Sequence, residues 1–414
     1  MDALLRSHAD HIVSRAISAV LPDSAVKRAL EEHTFPGRIF LVAAGKAAWQ
    51  MASAAKAVLG DRIEAGIVIT KYGHVNGPIE GILCREAGHP VPDANSFAAT
   101  REALDLVADL TETDTVLFLL SGGGSALFEL PLIPGEQLQD ITNQLLACGA
   151  DIVQINTIRK RLSAVKGGRF AQHCAPAQVF SIVLSDIIGD PLDMIASGPA
   201  VPDSSTCQQA IQIARQHNLS LAPKAWELLS QETPKKLTNV TTRITGSVRE
   251  LCRAAAEACE ELGYEPLLLT DQLCCQAREA GSFLASVLKT YTASGKKLAF
   301  LAGGETVVQL TGTGKGGRNQ ELALSAAEGI RNLPGAAVFS VGSDGTDGPT
   351  DAAGGYVDYL TADALQQQGI SIPDVLKNND AYHALHAVDG LIITGPTGTN
   401  VNDVAVALLW QDIS

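Results

Sequence analysis

The sequence has little positive charge, few aromatic residues and no long apolar run. Its 414 residues include 31 Lys and Arg against 45 Asp and Glu, which gives a net charge of −14. This balance argues against a nucleic-acid-binding protein, because such proteins present a basic surface. The strongly apolar stretches, such as Val116–Leu120, fall far short of the about 18 residues that a membrane helix needs. Asp2, His8 and Asp10 interrupt the N-terminus where a signal peptide would be apolar.

The eight cysteines form no C-x-x-C pair, and no histidine lies at zinc-finger spacing from them. We therefore expect reduced thiols and a cytoplasmic location. With 46% hydrophobic and 18% charged residues, the chain is too apolar for a disordered protein. Its length corresponds to two or three domains at roughly 100–200 residues each.

Short apolar runs repeatedly end in glycine-rich or polar turns, and helical patterns follow many of them. The runs are Ile39–Ala43, Val116–Leu120, Val179–Leu184, Leu298–Ala302, Val338–Val341 and Leu391–Thr394. Strand, turn and helix in repetition predict an α/β fold with mainly parallel sheets flanked by helices. A polar segment around 231–246 predicts two α/β domains, residues 1–235 and 236–414. Ligands of such sheets bind beyond the carboxyl ends of the strands, so we expect the functional residues in these turns.

Two of these turns predict an anion site in the first domain. Lys46 follows the first strand in the segment AAGKAA, where its ammonium group suits a phosphate or a carboxylate, or is simply solvated. The second turn is SGGGS, the residues Ser121, Gly122, Gly123, Gly124 and Ser125. Three glycines permit close backbone approach to a ligand, and consecutive N–H groups form an anion nest. Neither turn matches the P-loop or the dinucleotide fingerprint G-x-G-x-x-G.

A basic segment follows, with five cations between Arg159 and Arg169 in an otherwise acidic chain. Arg159, Lys160 and Lys166 are candidates to bind an anionic substrate, and the alternative is an exposed basic face. Asp186 and Asp190 then come after the apolar run Val179–Leu184. Two carboxylates at a strand terminus suit Mg²⁺ or a base beside a metal, although Asp190 is also a common turn former.

The second half contains further candidate binding segments. They are Gly303, Gly304 and Glu305 after an apolar run, Arg318 and Asn319 at a helix start, Asp344 and Asp347 in the loop SDGTDGPTDAAGG, and Asn400 in GPTGTNVND. Arg318 is well placed to stabilise charge on a transferred phosphoryl group. The aspartate loop resembles a cation loop but lacks the glutamate of an EF-hand. No G-x-S-x-G or H-E-x-x-H motif supports a serine hydrolase or a zinc protease.

Six long segments, in order, make the chain similar to the class II glycerate kinases. They are LLSGGGSALFELP, INTIRKRLSAVKGGR, LSDIIGDPLDMIASGP, GGETVVQLTGTGKGGRNQELAL, SVGSDGTDGPTDAAG and GPTGTNVND. The C-terminal part of that family is the MOFRL domain. The resemblance implies a Rossmann-like N-terminal domain, a C-terminal MOFRL domain and an active site in the cleft between them.

The resemblance also implies ATP- and Mg²⁺-dependent phosphorylation of D-glycerate at its 2-hydroxyl, giving 2-phospho-D-glycerate. Lys46 and Arg318 match the family's catalytic cations, and Asp186 matches its acidic residue. We expect no nucleic-acid or membrane partner, and a homodimer is compatible with the sequence.

Two other functions stay open at this point. One is an NAD(P)H-dependent hydroxypyruvate reductase, a name that some relatives carry, although no G-x-G-x-x-G with a downstream acidic ribose ligand is present. The other is a non-catalytic sensor of nucleotides or sugar acids. Release of ADP from ATP and D-glycerate separates the kinase from both.

Overall fold

A computed structural model describes residues 1–410 of the chain. The chain folds into two compact units, each with a six-stranded sheet. The parallel-sheet unit comprises Ala25–Ser185 and Asp190–Thr245. The mixed-sheet unit comprises Met1–Ser24, Asp186–Gly189 and the described residues from Gly246 onward. The predicted α/β class and the presence of two sheet-based halves are confirmed.

The helices and strands alternate along most of the chain. The helices are α1 (Ala3–Val20), α2 (Pro22–Glu31), α3 (Ala48–Leu59), α4 (Ala94–Leu106), α5 (Gly124–Leu127), α6 (Gly135–Ala147), α7 (Ile152–Leu162), α8 (Arg169–Cys174), α9 (Cys207–Gln216), α10 (Pro223–Leu229), α11 (Val248–Glu261), α12 (Ala277–Thr290), α13 (Arg318–Ile330), α14 (Thr361–Gln367), α15 (Ile372–Lys377) and α16 (Ala381–His386). The strands are β1 (Ile39–Ala44), β2 (Ile63–Lys71), β3 (Ile82–Ala87), β4 (Thr115–Leu120), β5 (Gln178–Leu184), β6 (Val240–Gly246), β7 (Glu265–Leu273), β8 (Leu298–Gly304), β9 (Ala336–Gly342), β10 (Gly354–Asp358), β11 (Leu391–Ile392) and β12 (Asp403–Leu409). Single 3₁₀ turns lie at Gly60–Arg62 and Ile195–Ser197.

The sheet of the parallel-sheet unit has the strand order β3-β2-β1-β4-β5-β6. Strands β1 to β5 pair in parallel with their neighbours. The two central strands, β1 and β4, are buried along their whole length, as a sheet covered on both faces requires. This is the doubly wound order, whose switch point lies between β1 and β4. A ligand site is therefore expected at the carboxyl ends of these two strands.

The second sheet, ordered β11-β10-β9-β12-β8-β7, is largely antiparallel, which corrects the prediction of mainly parallel sheets for this half. Only β7 and β8 pair in parallel, while β12 is antiparallel to both β8 and β9. No helix follows β9; a loop carries the chain into β10, which pairs with β9 in the opposite direction. A short connection without a crossover permits only antiparallel neighbours.

The helix α1 belongs to the mixed-sheet unit, although it begins the chain. Its buried face, including Leu5, Ile12 and Val13, shares one core with Leu251 and Ala255 of α11. The compact units therefore differ from the contiguous division at residue 235, because an amphipathic helix packs where an apolar surface is available rather than beside its neighbours in sequence. As independently folding domains, residues 1–235 and 236–414 stay a prediction.

Local signals in the sequence position several elements. Ser247 caps α11 by accepting a hydrogen bond from the Glu250 N–H, as its sequence pattern predicts. Gly263 follows this helix with φ of 84°, the left-handed region that favours glycine. All eight cysteines are free thiols. Within residues 1–410, no helix combines the length and apolar character needed to span a bilayer.

Candidate active site

The carboxyl ends of β1 and β4 bring the two predicted anion-binding turns together. Ala44 and Leu120 are partners in the parallel register, so the turns that follow them start side by side. The Lys46 N–H donates to the Gly122 carbonyl over 2.9 Å. The Ala47 N–H donates to Oγ of Ser121 over 3.0 Å. The structure thus places Lys46 against the glycine-rich turn, at the switch point of the sheet.

Close approach explains why glycine is needed in this turn. Gly123 has φ of 86°, and a methyl group added to it would lie 3.1 Å from Nε2 of His89 and 3.2 Å from Cγ of Lys46. Gly45 has φ of 126°, and its added methyl would lie 2.2 Å from Oγ of Ser121. A larger residue at Gly123 would displace the side chains of His89 and Lys46, and one at Gly45 would clash with Ser121.

Four basic side chains surround this turn: Lys46, Lys71, His74 and His89, here called the edge cluster. Nδ1 of His74 lies 3.2 Å from the Lys46 carbonyl oxygen. Burial lowers the pKa of His89, and the charges of Lys46 and Lys71 lower it further. Within residues 1–410, neither lysine of the edge cluster forms an ion pair. Unpaired cations beside a glycine-rich turn favour an anionic ligand.

The cations of the basic segment lie in a different environment. Lys166 is completely buried, and its Nζ donates to the carbonyls of Ser125 (2.9 Å) and Phe128 (3.1 Å) and lies 3.3 Å from Glu129. Arg159 also donates to the Ser125 carbonyl, over 3.0 Å, and pairs with Glu129. Burial lowers the pKa of Lys166 to about 8, against the opposing charge of Glu129. Both cations therefore stabilise the glycine-rich turn through hydrogen bonds to its Ser125 carbonyl.

Lys160 is buried too, with its Nζ 3.3 Å from Asp193 and 3.2 Å from Asp203. We expected Arg159, Lys160 and Lys166 to face an anionic substrate or to form an exposed basic face. The structure places all three among internal partners instead. Their charges are balanced within the protein because a buried cation without a carboxylate or carbonyl partner is strongly unfavourable.

In the mixed-sheet unit, Arg318 begins α13 and pairs with two carboxylates. Its Nε and Nη2 donate to both oxygens of Asp403, over 2.5 and 3.0 Å, and its Nη1 lies 3.2 Å from Glu305. Burial disfavours the charge, but the hydrogen bonds to Asp403 raise the pKa of Arg318 overall. The guanidinium group is thus fixed in position and permanently charged, as a transition-state cation should be.

Asp347 and Asn319 have structural partners around the start of α13. Asp347 accepts hydrogen bonds from the N–H groups of Asn319 (3.1 Å) and Gln320 (2.9 Å), and so it caps this helix. Burial raises the pKa of Asp347 to about 6, against these hydrogen bonds. Ser340 donates to the side-chain oxygen of Asn319 over 2.6 Å. Both residues are buried and fix the start of α13, which is where Arg318 lies.

The predicted cation loop does not gather its carboxylates. Asp347 caps α13, whereas Asp351 accepts a hydrogen bond from the Tyr382 hydroxyl over 2.7 Å. Asp344 accepts from the Thr346 N–H within its own turn. No group of three or more potential metal ligands occurs among the described residues. The exposed Asn400 accepts a hydrogen bond from the Asn402 N–H.

Gly303 and Gly304 lie inside β8 rather than in a loop. A methyl group on Gly303 would lie 2.3 Å from Sγ of Cys252 on α11. On Gly304 it would lie 2.1 Å from the Leu273 carbonyl of β7. Both glycines are required for packing within the unit, which corrects the expectation of a glycine-rich turn at this place.

Asp186 follows the end of β5 and belongs to the mixed-sheet unit, where its carbonyl accepts a hydrogen bond from Nδ2 of Asn402 over 3.3 Å. Asp190 has φ of 50°, and its Oδ1 is buried without a hydrogen-bond partner in the described structure. An orphaned buried carboxylate oxygen is costly unless a ligand completes it. This atom is therefore a candidate cation ligand.

Sequence reasoning missed His89, Lys71 and Asp403. The segment GHPVPD, which contains His89, follows β3 directly, so its position after a strand was an available signal. Lys71 ends β2, and Asp403 begins β12. Their roles depend on which strands are neighbours, and this information is not contained in local sequence patterns.

Comparisons with known proteins agree with the motifs. Residues 8–230 match a domain of unknown function, DUF4147, and residues 298–403 match the MOFRL family. A D-glycerate 2-kinase of Thermotoga maritima is 51% identical over 98% of both chains. A glycerate 2-kinase of Pyrococcus horikoshii is 38% identical over 96% of both chains.

Solved structures give the same result. The crystal structure of a glycerate kinase from Thermotoga maritima superposes with a TM-score of 0.94, at 50% identity, over 99% of this chain and 100% of that one. A relative in Agrobacterium vitis, 38% identical over 90% of this chain and 100% of its own, bears a hydroxypyruvate reductase name only provisionally. Sequence and fold agree, and the chain belongs to the glycerate 2-kinase family, built from DUF4147 and MOFRL regions.

Proposed function

We propose that this protein transfers the γ-phosphoryl group of ATP to the 2-hydroxyl of D-glycerate, giving 2-phospho-D-glycerate and ADP. Relatives at 51% and 38% identity carry glycerate 2-kinase names. Phosphoryl transfer requires positioned cations and hydrogen-bond donors rather than covalent protein chemistry. The observation that carries the proposal is Lys46, whose backbone N–H binds a glycine-rich turn at the switch point of a doubly wound sheet and whose ammonium group forms no ion pair within residues 1–410.

The two halves of the chain contribute residues with different roles in the proposed reaction. Lys46 and the turn Ser121–Ser125 bind phosphate oxygens, because the turn permits close backbone approach. Arg318, fixed by Asp403, stabilises the charge that develops on the transferred group. The expectation that these residues act in one cleft stays a prediction. So do a binding role for Asp344 and Asn400, a cytoplasmic location and a homodimer.

The carboxylates after β5 fit a magnesium ion. Oδ1 of Asp190 is buried without a partner in residues 1–410. Mg²⁺ is usually bound by one or two carboxylates together with substrate phosphates, so it needs no larger protein cluster. Asp190 would hold the ion, which when bound neutralises phosphate charge, and a ligand role for Asp186 stays a prediction. Asp186 is alternatively the acceptor of the proton that leaves the 2-hydroxyl.

These two roles for Asp186 give different results in an Asp186→Asn variant. Loss of a metal ligand raises the Mg²⁺ concentration needed for half-maximal activity. Loss of a base lowers kcat at every Mg²⁺ concentration and leaves the titration midpoint unchanged. Activity titrated against Mg²⁺ at saturating substrates separates these cases, and wild-type behaviour would remove Asp186 from the mechanism.

The kinase proposal is tested by coupled measurement of ADP release with D-glycerate, L-glycerate and other small hydroxy acids. Phosphorus NMR of the product must show a phosphate ester on the second carbon. A 3-phosphate product, or ADP release that is independent of D-glycerate, would overturn the proposal.

The reductase alternative is tested with hydroxypyruvate and NADH or NADPH. The spacing G-x-G-x-x-G occurs once, at Gly312, Gly314 and Gly317, but this segment does not follow a strand directly, as a turn that holds a dinucleotide pyrophosphate must. No oxidation of the cofactor is therefore expected. A sensor without catalytic activity would bind ATP and D-glycerate but release no ADP.

A further inference from the structure

A pocket of about 720 Å³ lies beside the edge cluster in the parallel-sheet unit. Its walls come from Tyr72 after β2, residues 88–97 after β3, and the start of α6. His89 lines this pocket, and its ring also lies within contact distance of the position where Gly123 would carry a methyl group. The pocket and the glycine-rich turn therefore lie on either side of His89.

The walls of the pocket combine flat apolar surface with polar ends. Tyr72 is 48% exposed and Val91 50% exposed, and the ring of Phe97 lies close to Gly135. A methyl group at Gly135 would lie 2.6 Å from this ring, so glycine there leaves room for it. Glu136 and Gln139 are the polar groups available to a ligand, because Asp93 already accepts hydrogen bonds from the Tyr72 hydroxyl (2.6 Å) and the Ser96 N–H (2.9 Å).

This composition suits a purine nucleoside. An aromatic side chain stacks on a base, and carboxylate and amide oxygens accept hydrogen bonds from an exocyclic amine or from ribose hydroxyls. The volume lies in the usual range of small-molecule sites, roughly 300–1,000 Å³. A three-carbon hydroxy acid would leave most of this space empty.

The position of the pocket points to the same ligand. In doubly wound sheets of this strand order, nucleotides bind beyond the carboxyl ends of the strands. The pocket lies beyond β2 and β3, and the anion-binding turns lie beyond β1 and β4. A nucleotide placed along this edge would have its base in the pocket and its phosphates at Lys46.

A second pocket, of about 600 Å³, lies in the mixed-sheet unit and is less suited to a polyphosphate nucleotide. Arg318 lines it, but its charge is balanced by Asp403 and Glu305. Glu305, Glu321 and Asp347 also line its walls. Carboxylates repel phosphate groups, whereas the lysines of the edge cluster attract them.

We propose that the pocket formed by Tyr72, Val91, Phe97 and Gln139 binds the adenosine part of ATP, with the phosphates directed to the edge cluster. This inference deepens the proposed function and rests on it for the identity of the nucleotide. It assigns base recognition to residues after β2 and β3, which neither the motifs nor the comparisons indicate.

The test measures ADP binding by calorimetry for wild-type protein and two pocket variants. Tyr72→Ala removes the stacking surface, and Ala94→Trp places a bulky side chain at an exposed position on the pocket wall. Both should raise the Kd of ADP by about tenfold or more, the size expected for loss of base stacking. The conservative Tyr72→Phe variant keeps the ring and should recover most of the affinity.

Two further readouts separate base binding from a general loss of structure. Inorganic tripolyphosphate has no base, so its inhibition constant should be the same in Tyr72→Ala as in wild type. The KM for D-glycerate at saturating ATP should also be unchanged. As a matched control, Leu310→Asp alters a strongly exposed residue of the second pocket and should leave ADP binding unaffected.

Unchanged ADP affinity in both pocket variants, or loss of ADP binding in Leu310→Asp, would overturn the inference. Equal weakening of ADP and tripolyphosphate in Tyr72→Ala would also overturn it, because the defect would then lie at the phosphates. If wild-type protein binds ADP at this pocket but does not phosphorylate D-glycerate, the proposed function fails and the pocket assignment stands.

Discussion

The edge cluster and the basic segment have the same kind of side chain in opposite environments. Lys46 and Lys71 form no ion pair within residues 1–410, whereas Lys160 and Lys166 are buried against carboxylates and carbonyls. The basic segment is the more conspicuous of the two in the sequence, with five cations close together. Local density of positive charge thus does not identify an anion site. What identifies it is a cation whose charge the protein leaves unbalanced.

The comparison predicts that replacing a buried cation mainly affects stability. Lys166→Met removes one of the two cations that pair with the buried Glu129 and leaves the Ser125 and Phe128 carbonyls without its ammonium donor, which should lower the free energy of unfolding by about 2–3 kcal/mol. Urea unfolding measures this loss. Lys224→Met, which removes an exposed lysine paired with Glu227, is the control and should change stability by less than about 1 kcal/mol. Equal stability of the two variants would show that the buried pair contributes no more than a surface pair.

Replacing an unpaired cation should instead affect catalysis. Lys46→Met should lower kcat by about 10²–10³, the usual effect of removing a transition-state donor. Stability should change by less than about 0.5 kcal/mol, because the side chain is exposed and unpaired. Steady-state kinetics and urea unfolding on the same preparation test both parts. Near-normal turnover would remove Lys46 from the mechanism.

The two environments also differ in their response to pH. The folded-state pKa of Lys166 is lowered to about 8 from an ordinary value of 10.5, so between these values the unfolded chain binds more protons. Stability attributable to Lys166 should therefore rise with pH from about 8 to about 10.5, by at most about 1.4 kcal/mol per pH unit. The measurement is the difference in unfolding free energy between wild type and Lys166→Met across this range. A difference that is constant with pH would contradict the lowered pKa.

The smallest expected effect is at Lys71. Its ammonium group contributes to the positive potential at the edge cluster, so Lys71→Met should raise the KM for ATP by roughly fivefold at low salt. The effect should diminish as ionic strength increases, because salt screens exposed charges. Lys56→Met, at a lysine paired with Asp61 on the same unit, is the control. A salt-independent loss would indicate a structural defect instead.

Much of the parallel-sheet unit could be predicted from the sequence, because apolar runs followed by glycine-rich turns and helices are typical of parallel strands. Lys46 and Ser121–Ser125 were each predicted to lie in a turn after a strand on that basis, and the structure brings the two turns together. The environment of Lys166 could not be predicted, since its partner Glu129 is contributed by another segment and burial depends on tertiary packing. The antiparallel partners of β12 were missed for a similar reason. Strand direction depends on pairing between distant segments, which local periodicity does not encode.

The mixed-sheet unit includes α1, whose core partner α11 begins more than 220 residues later. At about 5–20 residues per second, a ribosome needs on the order of ten seconds or more to connect the two. During that time the apolar face of α1 has no permanent partner, so the nascent chain presents a hydrophobic helix to any chaperone at the exit tunnel. Completion of this unit therefore waits for its inner strand β12, while the parallel-sheet unit has all of its residues available much earlier.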